Sequence, residues 1–283
     1  MRVNEMALRI RQEVFKMAVH ANGGHIAPSY SMTDIVAELY FDDILRYNPK
    51  DAEWMERDYF ILSKGHGVLA LYAALAMAGY FPMERLATFC KPGSTLGSLA
   101  KMGSVPGIEA TTGSLGHGLS FAVGIALACK LDKVDNQVYV LLGDGECQEG
   151  SVWEGIMAAV HHRLDNLVVI IDYNGLQAMD SIMTIMSIDG FSGRLESFGF
   201  DAEDIDGHDN GAIKRALQKR VPGKPRAVVA HTLKGKGISF MENVPIWHYR
   251  IPNEEEMEIA LNDLHMTRED LGRYEKCVFR NVI

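Results

Sequence analysis

The chain has 283 residues, 28 Lys and Arg against 37 Asp and Glu, a formal charge of −9 at pH 7, and 47% hydrophobic residues. That is an ordinary globular composition, and its acidic balance argues against general binding of nucleic acid or anionic membranes, whose phosphates would repel it. The N-terminus lacks the apolar core of a secretory leader, so a cytoplasmic location is expected. Residues 67–81 and 110–129 carry no charged side chain. The first stretch is too short for a span of about 20 residues. The second is glycine-rich and contains His117, so no membrane span is expected. Cys90, Cys129, Cys147 and Cys277 form no CxxC pair and read as reduced thiols, not a disulfide frame or zinc site.

Helical and strand-like segments alternate along the chain. Apolar residues recur at helical spacing over residues 3–19 and 33–45, the second with Ser31 or Thr33 as a candidate cap. Residues 58–63 form a candidate strand, and 68–77 an almost wholly apolar helix. A second apolar helix covers 119–131. Three runs, 137–143, 167–173 and 226–232, are rich in β-branched residues and lack the alternation of a half-wet sheet, as buried parallel strands do. A helix at 152–162 between the first two completes a βαβ unit, whose crossover is right-handed. Another helix, 211–221, precedes the last strand. The expected fold is α/β, a doubly wound, mainly parallel sheet flanked by helices. Residues 1–283 are read as a single domain with a peripheral helical C-terminal segment from about residue 253.

Ligands of open parallel sheets bind beyond the carboxyl ends of the strands. There the chain places Gly143-Asp144-Gly145-Glu146, Asp172-Tyr173-Asn174-Gly175, and His231 through Gly237. Asp144 and Asn174 stand one βαβ repeat apart, so both fall at the same sheet edge. A carboxylate and an amide carbonyl are hard oxygen ligands suited to Mg²⁺ or Ca²⁺. Gly143 and Gly145 let backbone N–H groups approach a phosphate at a helix N-terminus. Taken singly, Asp144 reads as a turn or cap residue and Asn174-Gly175 as a tight turn; together they favour a metal-bridged diphosphate site. The loop is neither a Rossmann fingerprint, since Gln148 stands at the third glycine position, nor a Walker A motif.

The GDG-to-Asn pattern joins four further motifs in order: SKGHG around His66, PGIEATTGSLGHG from Pro106, DGHD around His208, and KGKGISFMENVPIWH ending at His248. From about Gly24 to His248 the chain resembles the N-terminal, thiamine diphosphate (ThDP)-binding domain of transketolases. Because full transketolases continue into pyrimidine-binding and C-terminal domains, it resembles the N-terminal subunit of a split, two-chain transketolase. The resemblance implies transfer of a two-carbon ketol unit from a ketose to an aldose, on sugar or sugar-phosphate substrates. It implies ThDP with Mg²⁺ (or Ca²⁺ or Mn²⁺) as cofactors. The implied partner is a second chain, in an α2β2 heterotetramer, that carries the pyrimidine-binding domain and its activating glutamate. Nucleic acid and membranes are not among the implied partners. By the same resemblance, the Asp144 and Asn174 side chains and the Leu176 carbonyl bind the metal. Gly143, Gly145, Asn174, His66 and His248 meet the diphosphate side of the cofactor. Gly113 and Leu115 meet its aminopyrimidine. His25, His66 and His248 serve catalysis, and Glu149 lies at the subunit interface.

Three departures from the family pattern bear on the substrate. The usual Gly-His-Pro histidine is absent near Ser98, the segment after His25 reads IAPS, and Tyr249-Arg250 follows His248 where glycine is usual. Two rival readings stand beside transketolase: the thiamine-dependent subunit of a 2-oxo-acid dehydrogenase, and an inactive cofactor-binding scaffold. Nothing frames His20, His161, His162 or His265, which read as structural. His117 is open between site and loop. His208 reads as a helix cap and His231 as a strand-end residue. Lys234 and Lys236 read equally as anion-steering groups or a solvated pair. The methionines at 179–186 read by default as core filling, with a surface for the partner as the alternative.

Overall fold

The computed structural model describes residues 2–274; Cys277 lies outside the described residues. Strands β1 (Tyr59–Leu62), β2 (Val138–Gly143), β3 (Leu167–Tyr173), β4 (Asp201–Asp206) and β5 (Arg226–His231) form one sheet in the order β1-β2-β3-β5-β4. Every pairing is parallel. The uniformly apolar strands have a simple cause, because both sheet faces are covered. Tyr139, Leu141, Val168 and Ile170 point into one core, and Val138, Val140, Val169 and Ile171 into the other. The first core is closed by α1 (Val3–Ala21), α3 (Thr33–Phe41), α4 (Val68–Met77) and α9 (Asn210–Gln218). The second is closed by α5 (Gly118–Asp132), α6 (Gly150–His161) and α8 (Phe191–Phe198). Helix α4 has no polar face because all ten of its residues are buried.

Several boundaries differ from the sequence reading. The second predicted helix ends at Phe41, short of Leu45, because Asp43 turns left-handed at φ 56°. Neither Ser31 nor Thr33 caps it: Ser31 Oγ donates to Asp172 Oδ2 at 2.6 Å and Thr33 Oγ1 to the Ser29 carbonyl at 2.9 Å. Before it, α2 (Ile26–Ser31) is fully buried; its Pro28 falls in the first turn, where a missing N–H costs no helical bond. Strand β4 reads DAEDID and is not among the strands the sequence predicts. It lies at the sheet edge, where charge discourages further pairing. Its acids are answered across the ladder: Asp201 Oδ2 meets Arg226 at 2.7 Å and Asp204 Oδ1 meets His231 Nε2 at 2.7 Å. Helix α10 (Glu254–Asp263) begins at an Asn253–Glu256 capping box and lays Met257, Ala260 and Leu261 into the core beside α1.

Candidate functional site

The carboxyl ends of β1, β2, β3 and β5 open into one cleft of about 360 Å³. All ten residues singled out from sequence line it: His25, His66, Gly113, Leu115, Gly143, Asp144, Gly145, Asn174, Leu176 and His248. The β2–β3 register, with Gly143 opposite Asp172, sets Asp144 beside the Asn174-Gly175 turn. Asp144 joins the two tips directly, its Oδ1 accepting from Gly145 N at 2.7 Å and its Oδ2 from Gly175 N at 2.6 Å. This carboxylate is 3% exposed. Burial, helped by the nearby Asp172 charge, pushes its pKa up to about 6. Asn174 Oδ1 accepts from Leu176 N at 3.1 Å, and the Leu176 carbonyl accepts from the Lys234 ammonium at 3.2 Å.

Lys64 and Lys234 form the floor of the cleft, a part the sequence reading missed or left open. Lys234 is buried, with a second bond to the Gln177 carbonyl at 2.8 Å, so of its two sequence readings the solvated one falls away. Burial and then the Lys64 charge bring its pKa down to about 8. Lys64 donates to the Pro28 carbonyl at 3.0 Å and is ion-paired with Asp172, with both side chains almost wholly buried. Burial alone would raise the Asp172 carboxyl, but the Lys64 ammonium outweighs it and leaves the pKa below the usual range. Thr232 and Ser31 complete the acceptor shell of Asp172.

His25, His66 and His248 form a triangle with ring centroids 5.2–5.4 Å apart. Burial first, then the lysines, lowers all three, with neighbouring rings adding to it at His66 and His248: His25 to about 4, His248 to about 3 and His66 well below its usual value. At neutral pH the rings are therefore uncharged, each able to donate from one nitrogen and accept at the other. His66 is carried on the turn after β1. Gly65 lets that turn touch the second loop, since a Cβ there would lie 2.7 Å from Thr112 Oγ1 and 2.9 Å from Gly113 N. Glu146, which also lines the cleft, is the rivet between segments. It accepts from Ser63 Oγ, from Gly116 N at 2.9 Å and from Gly143 N at 3.1 Å.

Other sequence readings are corrected or placed. His208 caps nothing. Asp209 caps α9, accepting from Ala212 N at 3.0 Å, whereas His208 Nδ1 meets Asp34 Oδ2 at 2.6 Å and His208 Nε2 accepts from Leu233 N at 2.8 Å. That bridge ties the loop carrying Lys234 to the first helical layer. His117 is exposed, at the start of α5 and off the cleft. At the missing Gly-His-Pro position Ser98 is exposed, and the next residue, Leu99, packs on Gly113 and lines the cleft. Glu149 stands exposed at the rim. The short α7 (Ile182–Met186) carries Met183 and Met186, which are exposed like Met179 before it, contrary to core filling. Among the described residues no group of three or more His, Cys, Asp or Glu converges on a metal position, Cys90, Cys129 and Cys147 are free, and no helix is long and apolar enough to cross a membrane.

The donor set suits a metal-bound diphosphate. It combines a buried carboxylate with no direct ion pair among the described residues, an amide oxygen, a carbonyl and two ammonium groups. Two polar atoms at the cleft, Gln177 Nε2 and His248 Nδ1, are buried without a hydrogen-bond partner, and a polar ligand would satisfy both.

A family model described as "Transketolase, thiamine diphosphate binding domain" matches residues 3–267. A 6-deoxy-6-sulfo-D-fructose transketolase subunit of Clostridium sp. (strain MSTE9) is 41% identical over 255 residues, 89% of this chain and 91% of that one. One of the apulose-4-phosphate transketolase subunits of Actinobacillus succinogenes is 40% identical over 266 residues, 93% of this chain and 95% of that one. The crystal structure of a transketolase from Campylobacter jejuni superposes with a TM-score of 0.88 at 30% identity, covering 94% of this chain. This chain spans 43% of that protein's length.

Proposed function

The chain belongs to the transketolase family as its thiamine diphosphate-binding domain, and from that premise we propose that it is the N-terminal subunit of a two-chain transketolase moving a two-carbon ketol unit from a ketose to an aldose. The observation that carries this reading is the joining of the β2 and β3 tips through Asp144, above two buried lysines and beside three uncharged histidines. Asp144, Asn174 and the Leu176 carbonyl would hold the divalent ion, and Mg²⁺ is the ion that an all-oxygen donor set around a diphosphate favours. ThDP, when bound, supplies the carbanion and electron sink for breaking and making the C–C bond.

The chain's own groups bind, orient and move protons. Lys64 and Lys234 offset the diphosphate charge in a cleft where charges are poorly screened. Gly143 and Gly145 lie at the tip that faces it, their N–H groups held by Glu146 Oε2 and Asp144 Oδ1, and Gly113 and Leu115 support the aminopyrimidine end. His25, His66 and His248 donate hydrogen bonds to carbonyl or hydroxyl oxygens of the sugar. Being uncharged, each can also accept a proton at its free nitrogen. The carboxylate that activates the aminopyrimidine is assigned to the second chain, in an α2β2 assembly with Glu149 at the contact. The names of the subunit-type relatives point to sugar substrates.

The test is to purify the chain alone and with its second subunit, and to follow product ketose from a ketose donor and an aldose acceptor. Turnover is expected only from the complex, and only with ThDP and a divalent ion. Turnover by the lone chain, or reductive acylation of lipoamide in place of ketol transfer, would refute the reading.

A further inference from the structure

We propose that Tyr249 determines which sugars this site accepts, by walling the solvent side of His25 with a neutral aromatic ring and one free hydroxyl for the carbon chain beyond the reacting carbonyl; this inference rests on the ketol-transfer reading. The Tyr249 and His25 rings meet in a T-shaped contact, centroids 4.8 Å apart and planes at 64°. It is 59% exposed, whereas the three histidines are each half-buried, so Tyr249 is the solvent-facing member of the pair it makes with His25. Its hydroxyl has no hydrogen-bond partner among the described residues, so it is free to bond to a ligand.

Two features fix the ring there. A Cβ on Gly23 would come within 3.0 Å of the Tyr249 hydroxyl and 3.7 Å of the ring carbon that bears it. The turn Pro245–Tyr249 is anchored by buried Trp247. Arg250, by contrast, is turned to the anchor and not to the cleft: its guanidinium stacks over Trp247 at 4.2 Å and pairs with Glu256 at 2.8 Å. Of the two residues that depart from the family pattern after His248, Tyr249 thus meets His25 and Arg250 holds the turn. The wall is uncharged, and a ring face with a hydroxyl at its edge suits a chain of CH–OH groups better than a phosphate or carboxylate.

The experiment uses the two-chain complex loaded with ThDP and Mg²⁺. A single ketol donor is paired with two acceptors, glycolaldehyde, which carries only one carbon beyond its aldehyde, and the five-carbon aldose ribose. The readout is the ratio of kcat/KM for ribose to that for glycolaldehyde. Tyr249→Phe, which loses one hydrogen bond, is expected to lower the ratio about threefold to tenfold. Tyr249→Ala is expected to lower it further, roughly tenfold or more, by removing the ring as well. A merely structural role for Tyr249 would depress both acceptors alike and hold the ratio constant, and that result overturns the inference while leaving ketol transfer standing. Absence of ketol transfer in the unaltered complex overturns the reading of the reaction, and this inference with it.

Discussion

Replacing Lys64 by Met tests how the floor of the cleft is held. Lys64 and Asp172 are 2% and 0% exposed at the side chain, so neither charge has water to fall back on. Met fills most of the space left by the Lys stem but leaves the Asp172 carboxylate with only the Ser31 and Thr232 hydroxyls and a long 3.5 Å contact from Asn174 Nδ2. Breaking a buried pair from one side costs about 3–5 kcal/mol, because a bare charge stays in a poorly solvated place. Against a total stability of about 5–15 kcal/mol that is a large fraction. With a urea slope near 3 kcal/mol per M, the midpoint of the isolated chain should fall by about 1–2 M. Adding Asp172→Asn removes the stranded charge while keeping an acceptor for Thr232. The double variant should therefore recover at least half of the loss, a coupling visible only if the two side chains act on one another. A midpoint shift below about 0.3 M for Lys64→Met, or no recovery in the double variant, would refute this account of the floor.

Two further outcomes are expected. Glu146→Ala strands the Ser63 hydroxyl and the Gly116 and Gly143 N–H groups, each at about 1–3 kcal/mol when buried. It should lower ThDP affinity in calorimetry at least tenfold, with Glu146→Gln intermediate; equal affinity in all three proteins would show that the rivet does not shape the cleft. The second concerns acid. Burial pushes the Asp34 carboxyl up, but His208 and the Arg11 guanidinium outweigh it and set the pKa at about 2. Because that lies below the unfolded value of about 3.9, the carboxylate contributes about 2–3 kcal/mol that is fully present above about pH 5 and is lost progressively as pH falls through 2. Urea melts between pH 6 and pH 3 should show Asp34→Asn losing less stability on acidification than the parent, and parallel acid limbs would contradict it.

Much of this was legible in the sequence because the signals were strong and local. The apolar runs of β2, β3 and β5 announce a sheet covered on both faces, and a parallel sheet forces its loops to one edge. That alone brings Asp144 and Asn174 together. What stays hidden in the sequence depends on contacts between distant residues. Lys64 is an ordinary lysine until the fold closes Asp172 over it, and Glu146 is one acid among many until three loops meet on its carboxylate. Strand β4 reads as a solvated acidic loop because its stabilising charges, Arg226 and His231, come from the neighbouring strand. His208 sits where a cap would sit, but the capping oxygen belongs to Asp209 and the imidazole reaches across to Asp34. Helix α2 hides behind Pro28, since a proline in a first turn and a helix-breaking proline look alike in one dimension.

The most direct test of the account is calorimetric titration of the two-chain complex with ThDP in the presence of Mg²⁺, comparing the parent with Asp144→Ala. On the proposed reading Asp144 would hold the divalent ion, and it makes the bridge to the Gly175 N–H at 2.6 Å, so its loss should weaken ThDP binding at least a hundredfold and remove the dependence of that binding on Mg²⁺. Unchanged affinity that still rises with Mg²⁺ would place the metal and the diphosphate elsewhere and contradict the site described.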